Sequence, residues 1–308
     1  CQGSDLEMVQ HLENSVPAAI RRGIGSYPDH VLDAHSRTGS PALVEYLIQS
    51  CGTKVSESSL CSAVRSGNQE SARVLLCHIK EITSEVVRAV FEGSSVELAM
   101  DIKSQMENQT PLLITAVHAA AGSGGNQEMF KLAVQQSPGY PLFLPDCKTG
   151  MRPLNTAVHY CRLEVAQYIL AIAPDSIAMA DLGGRLPVHT LAESFGNALD
   201  TRASKGSELS DLTVLIVKSS KQAGVLDALI EATSGQSSGV SFDAGRAEGC
   251  TALHLAAVAS NMVVATEILN FGGLTSILNK EGKTAKDIVD EQQSDDGMIV
   301  LLSQLSVQ

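Results

Sequence analysis

The chain contains no tryptophan, and aromatic residues make up only 4% of its 308 residues. Sandwich and barrel folds commonly fill their cores with large rings, so this scarcity disfavours both. Hydrophobic residues still make up 44% of the sequence, which is enough to build a core and excludes wholesale disorder. Leucine, alanine, isoleucine and valine must therefore supply the packing, as they do in stacked helices.

Positive charge and long apolar runs are also scarce. The chain carries 22 Lys+Arg against 34 Asp+Glu, a formal net charge of −12. Nucleic acids and anionic membrane surfaces both select for clustered positive charge. No apolar run approaches the ~18 residues that a membrane span requires. We therefore expect neither a nucleic-acid partner nor insertion into a membrane.

The seven cysteines form no disulfide framework, because their number is odd, their spacing is scattered and no Cys-x-x-Cys pair occurs. This usage is typical of buried, reduced thiols. The sequence thus predicts an intracellular protein of the cytoplasm.

Internal repeats are clearest near the C-terminus. Gly249 and Thr251 recur 33 residues later as Gly282 and Thr284, and the apolar pair at 268–269 recurs at the same offset. Three features that keep one offset indicate a repeated structural unit.

Related units precede these two. Gly150 and Gly184 lie 34 residues apart and open similar segments, and another unit starts at Thr110. Further upstream only a skeleton remains: two small or apolar residues, two variable ones and a glycine. It occurs at 19–23, 63–67 and 89–93.

The repeated segment has the chemistry of a helix start. A threonine at the N-cap can accept a backbone N–H of the first turn, and a proline one residue later loses nothing. Small pairs such as 256–257 let neighbouring helices approach closely. The threonine and proline positions of this pattern are Thr110, Pro111, Pro153, Pro187, Thr251 and Thr284.

These motifs resemble the ankyrin repeat, specifically at 149–192 and 249–289 and in degenerate form upstream. The resemblance implies an all-α fold, an ankyrin-type α-solenoid of about seven to eight stacked helix-turn-helix repeats. The predicted organisation is a degenerate N-terminal part, 1–107, and a second part, 108–308. The second part ends in an acidic capping repeat, since residues 281–308 contain six acids and two bases.

Two stretches interrupt the repeats. Residues 195–211 are rich in Gly, Ser, Asn and charge and are predicted to form a surface insertion, followed by apolar helices at 212–217 and 225–230. Either one repeat carries a long insertion there, or a second repeat has lost its signature. Residues 138–145 contain three prolines and form a rigid link between repeats, without separating independent domains.

Nothing in the sequence predicts an enzyme, a cofactor or a metal site. In the ankyrin family the histidine at the fourth motif position, here His189 and His254, bonds the motif threonine and a neighbouring carbonyl. Cys77 with His78, and His159 with Cys161, are poorly placed to act together as a nucleophile pair or as ligands.

The resemblance implies that a protein partner binds the concave face and the finger turns. On the concave face it selects the variable pair of each repeat. On the fingers it selects residues around the turn glycine. The residues implied are Arg21, Arg22, Arg65, Phe91, Glu92, His159, Tyr160, Arg185, Glu193, Glu248, Val258, Lys280 and Lys283.

The predicted function is a non-catalytic scaffold or adaptor for protein–protein interaction. The alternative is an ankyrin module or structural subunit of a larger enzyme, channel or stable multiprotein complex. The N-terminal arginines form a basic strip beside Phe91 and Tyr160, which predicts that this part of the surface favours an acidic partner.

Overall fold

The computed structural model describes residues 29–49, 53–93, 95–106, 109–122, 127–135, 142–194, 206–230, 249–292 and 296–304. Throughout these ranges the regular structure is helical, and they contain no β-strand. The predicted all-α class is confirmed. The chain divides into two compact units, Cys1–Ser137 and Pro138–Gln308.

In the first unit the helices form packed pairs that follow one another along the chain. The first helices α1, α3, α5 and α7 pack in sequence, and the second helices α2, α4, α6 and α8 pack in sequence beside them. The helices are α1 Asp29–Thr38, α2 Pro41–Gln49, α3 Glu57–Arg65, α4 Gln69–Leu76, α5 Ser84–Glu92, α6 Val96–Met106, α7 Thr110–Gly122 and α8 Gln127–Gln135.

The second unit repeats this arrangement. Its first helices α9, α11, α13 and α15 form one row and its second helices α10, α12, α14 and α16 form another. A 3-10 turn, Pro174–Ala178, follows α10. The helices are α9 Pro153–His159, α10 Leu163–Ile172, α11 Pro187–Ser194, α12 Gly206–Gln222, α13 Ala252–Val258, α14 Met262–Asn270, α15 Ala285–Gln292 and α16 Asp296–Gln304.

The core of each unit lies between its two helix rows. On α4 the apolar positions Ala72, Leu75 and Leu76 share one face and are buried, as their spacing predicts. Ala256 and Ala257 on α13 are fully buried, so small side chains lie where the first helices meet. A single pair cannot cover its own apolar face, and neighbouring pairs supply the cover.

Most of the predicted helix starts are found. Thr251 is the N-cap of α13, and Pro153 is the first residue of α9 after the cap Arg152. Pro187 is the first residue of α11. Thr284 precedes α15, and its hydroxyl oxygen accepts the backbone N–H of Asp287 at 3.2 Å.

The predicted cap at Thr110 is wrong by one residue. The N–H groups of Leu112 and Leu113 both donate to the carbonyl of Gln109, so Thr110 already belongs to α7. Pro111 is then the second helical residue, which also needs no N–H donor.

The interruption in the second unit differs from the prediction. The helix α12 begins at Gly206, so residues 206–211 are helical and do not form a surface loop. Residues 225–230 are not a helix either. They lead to a close backbone pairing, in which Ile230 donates its N–H to the carbonyl of Cys250 at 2.9 Å. Residues 195–205 of the predicted insertion lie outside the described residues. The helix α12 packs between α10 and α14 and so has the place of a second helix in its row.

The two units meet in sequence at Ser137 and Pro138, within the proline-rich link, whereas the predicted division was at 107/108. Motif quality suggested the earlier position. Packing continues across it, since α5 packs against α7 and α6 against α8. The pair that begins at Thr110 is therefore the last described pair of the first unit.

Candidate partner-binding surface

The turns that precede the first helices of the second unit are built alike. Their glycines Gly150, Gly184, Gly249 and Gly282 all have φ between +69° and +77°. In the second of these turns the Asp181 side chain accepts the backbone N–H of Arg185 at 2.9 Å. The matching turn at Gly282 uses Asn279 Oδ1 and the N–H of Lys283 at 3.0 Å. The turns at Gly184 and Gly282 thus share one hydrogen-bond pattern.

His254 joins two successive helix pairs. Its Nδ1 accepts the backbone N–H of Thr251 at 3.1 Å, and its Nε2 lies 3.0 Å from the carbonyl oxygen of Lys283. A carbonyl can only accept, so Nε2 carries the proton and Nδ1 is the acceptor. The Thr251 hydroxyl oxygen accepts the N–H of His254 in return. Burial lowers the pKa of His254, which keeps this neutral form.

His189 has the same role one pair earlier. Its Nδ1 accepts the N–H of Leu186 at 3.0 Å, and its Nε2 lies 2.9 Å from the carbonyl oxygen of Ala228. Leucine stands where the motif has threonine, so the reciprocal hydroxyl bond is missing. Burial lowers the pKa of His189 to about 4, and the side chain is neutral at physiological pH.

Asn155 occupies the equivalent position in the preceding pair. Its Nδ2 donates to the carbonyl of Arg185 at 3.0 Å and to the Thr190 hydroxyl at 2.9 Å. An amide thus makes the bond to the next pair that a histidine makes in the two pairs that follow. Asparagine stands here where His189 and His254 stand in the later pairs, and its hydrogen bonds give it the same structural role.

Several residues implied for the binding surface are accessible. Tyr160 is 48% exposed and Val258 44% exposed, although each follows a fully buried helix face. His159 is half-buried: its Nδ1 lies 3.1 Å from the Ser194 hydroxyl, and its ring contacts that of Tyr160 edge-on. In the first unit Arg65 and Glu92 are exposed.

Two of the implied residues cannot line this surface. Phe91 is fully buried, because it lies four residues after the buried Val87 on the same face of α5. Arg185 is only 7% exposed, because its guanidinium is held by two carboxylates, Asp181 Oδ2 at 2.9 Å and Glu193 Oε2 at 3.4 Å. The expectation that both face a partner is wrong.

Arg21, Arg22 and Glu248, also implied for this surface, lie outside the described residues. Of the three arginines of the basic strip, only Arg65 belongs to the described residues.

The ion pair of Arg185 and Glu193 has a counterpart that the motif did not predict. Lys283 follows the turn glycine as Arg185 does, and its Nζ lies 2.7 Å from Glu291 Oε2. In both pairs the carboxylate stands eight residues after the base, at the C-terminal end of the first helix. That shared spacing was the available sequence signal. Burial raises the pKa of Glu193 to about 7.

Lys280 and Lys283 differ in their surroundings. Lys280 is exposed, whereas Lys283 is partly covered and contacts Glu281 at 3.1 Å as well as Glu291. Hydrogen bonds to both carboxylates raise the pKa of Lys283.

His78 and Cys77 are both exposed beyond the end of α4, and His159 bonds Ser194. Within the ranges that the structure covers, no cluster of three or more His, Cys, Asp or Glu could hold a metal ion. Cys77 and Cys147 are exposed thiols, contrary to the expectation that the cysteines are buried. In the same ranges, no helix combines the length and the apolar character required to span a membrane.

No protein-family model matches the chain, and no curated protein matches it. The repeated turn, the hydrogen bonds between pairs and the exposed helix ends are thus the observations from which a function must be argued.

Proposed function

We propose that this chain is an ankyrin-type α-solenoid that acts as a non-catalytic scaffold and binds a protein partner. The observation that carries the proposal is the repeated bond between pairs, made by Asn155, His189 and His254 to the main chain of the following pair. Such a design stabilises an extended row of helices through neighbours only. Its consequence is a long exposed surface along the helix ends and turns.

The same hydrogen bonds give the two motif histidines a structural role. The histidines at the fourth motif position use both ring nitrogens in structural hydrogen bonds, which leaves neither available as a general base. A partner protein needs only accessible area with a few well-placed anchors. Tyr160 and Val258 supply such anchors, and tyrosine is favoured at interfaces because it combines apolar area with a polar group.

A reducing, cytoplasmic setting also fits this function. Five cysteines fall in the described ranges, and none of them forms a disulfide. Thiols persist as such in compartments that are kept reduced.

Affinity capture tests the proposal. The full chain is immobilised, and retained proteins are quantified by mass spectrometry for the wild type, for Tyr160→Ala with Val258→Ala, and for Ile172→Ala. Ile172 is an exposed apolar residue on α10 and serves as the matched control. We expect a set of proteins to be retained by both the wild type and the control. The retained amount of these proteins should be lower by about tenfold or more with the double variant. An identical set of proteins for all three chains would contradict the proposal.

A further inference from the structure

The C-terminal ends of the first helices in the second unit lie in a row, because these helices pack against one another in sequence. The residues concerned are His159 with Tyr160 on α9, Glu193 on α11, Val258 on α13 and Glu291 on α15, and we call them the row-end surface. The bond between His159 and Ser194 connects the first two helix ends. The amide of Asn261, just after α13, donates to the carbonyl of Ala192 at 3.3 Å and connects the next.

Bases beside this surface are already engaged. Arg185 is buried and contacts both Asp181 and Glu193, and Lys283 contacts both Glu281 and Glu291. An acidic group of a partner would have to compete with two carboxylates for either base. The row-end surface therefore offers little to an acidic partner.

Glu291 on the row-end surface and Glu281 in the turn before α15 are both more accessible than Lys283, the base they share. The side chains of Glu281 and Glu291 are 61% and 60% exposed, whereas that of Lys283 is 31% exposed. The wider charge has the same sign, because residues 138–308 contain 12 Lys+Arg against 19 Asp+Glu. Charge complementarity at this surface thus favours a positively charged partner.

The anchors between the charged positions are aromatic or apolar. Tyr160 and Val258 are the accessible large side chains, and they flank the Arg185–Glu193 ion pair, which is largely buried. A partner can desolvate these two residues without separating an ion pair.

We propose that the row-end surface binds a basic segment of a partner protein, with one apolar or aromatic side chain against Tyr160, another against Val258, and lysines or arginines near Glu291 and the neighbouring Glu281. This inference rests on the proposed scaffold function. It adds the chemical class of the partner.

Peptide selection tests it. A random peptide library displayed on phage is selected on the full chain, and an enriched peptide is then synthesised with a fluorescent label. Its affinity is measured by fluorescence polarisation for the wild type, Tyr160→Ala, and Glu281→Gln with Glu291→Gln. The matched charge control is Asp175→Asn with Asp211→Asn, two exposed acids beyond the row-end surface.

We expect enriched peptides to pair an apolar or aromatic residue with lysine or arginine. Tyr160→Ala should weaken binding about tenfold or more. The glutamate double variant should weaken it about threefold to tenfold at low salt, and the control should not. Replacing the basic residues of the peptide with glutamine should abolish the difference between wild type and the glutamate variant.

The inference is overturned if the selection enriches acidic peptides, if it enriches none, or if Tyr160→Ala binds as the wild type does. These outcomes leave the scaffold function to its own test. If capture depends on Tyr160 and Val258 but shows no preference for basic partners, the inference of a basic partner is wrong and the proposed scaffold function is retained.

Discussion

At the scale of single residues, the turn between the two helices of a pair has the same left-handed backbone conformation in several pairs. Gly67 has φ +79° there, and Cys161 and Ser260 stand at the matching positions of later pairs with φ +54° and +51°. A side chain is disfavoured in this conformation, and the other residues of the turn hold it in place. These two positions depart from the glycine of the motif while keeping its geometry.

Exchanging residues at this position should change stability in opposite directions. Ser260→Gly should raise the free energy of unfolding by about 0.5–1 kcal/mol, because the strain of a left-handed side chain is removed. Gly67→Ala should lower it by about 1 kcal/mol. A Cβ at Gly67 meets nothing within 4 Å, so the loss reports the backbone alone.

Urea unfolding followed by circular dichroism measures both changes. A suitable control is Gly93→Ala, at a glycine with negative φ whose added Cβ would instead contact Val64 at 3.1 Å. If Ser260→Gly were no more stable than the wild type, the assignment of strain to this turn would fail.

At the scale of elements, three side chains of the second unit bond one helix pair to the main chain that leads into the next pair. The side chains of Asn155, His189 and His254 each stand on a first helix. Each is hydrogen-bonded to a backbone carbonyl about 30 to 40 residues later in the chain. The donor type varies, while the bond between pairs is retained. What the three pairs share is therefore the hydrogen bond to the following segment, and the type of residue that makes it can differ.

His254→Ala should lower the free energy of unfolding by about 2–3 kcal/mol, since it removes the cap partner of Thr251 and leaves buried groups unsatisfied. His254→Asn should lose about half as much, because Asn155 shows that an amide can reach the next pair. The exposed His78→Ala is the control and should change little. Thermal unfolding of the three variants decides between them. Equal losses for alanine and asparagine would show that the bond to Lys283 contributes nothing.

At the scale of the whole molecule, buried neutral histidines make folding sensitive to acid. The pKa of His189 is lowered to about 4 in the folded chain, against about 6.5 when the chain is unfolded. Between these values the unfolded chain binds a proton that the folded chain does not, so stability falls as the pH falls. The contribution is complete above about pH 6.5 and is lost progressively towards pH 4, by as much as about 3 kcal/mol.

Glu193 acts in the opposite direction. Its pKa is raised to about 7, so the folded chain retains a proton between about pH 4.5 and 7, and this group favours folding as the pH falls. A difference measurement separates the two effects. The stability of the wild type minus that of His189→Asn should decrease from pH 7 to pH 4.5. A difference that stays constant over this range would show that His189 is not held neutral.

The sequence by itself determined the helical class, the turn glycines and the helix starts, because these follow from local rules. A left-handed turn needs a particular backbone, and a cap needs a particular side chain, whatever packs around them. A period of about 33 residues separates the start of α9 from that of α11, and the start of α13 from that of α15. The predicted N-cap at Thr110 was wrong by one residue, because the carbonyl of Gln109 accepts the first helical hydrogen bonds. No local sequence pattern distinguishes these two positions.

The tertiary structure alone decided which residues face outward. Phe91 and Arg185 occupy positions that the repeat assigns to the surface, yet one turns into the core and the other is held by Asp181 and Glu193. Exposure depends on what neighbouring pairs cover and which charges they bring close, and both involve residues distant in sequence. The same holds for the apolar stretch at 225–230, which pairs with Cys250 through its backbone and forms no helix.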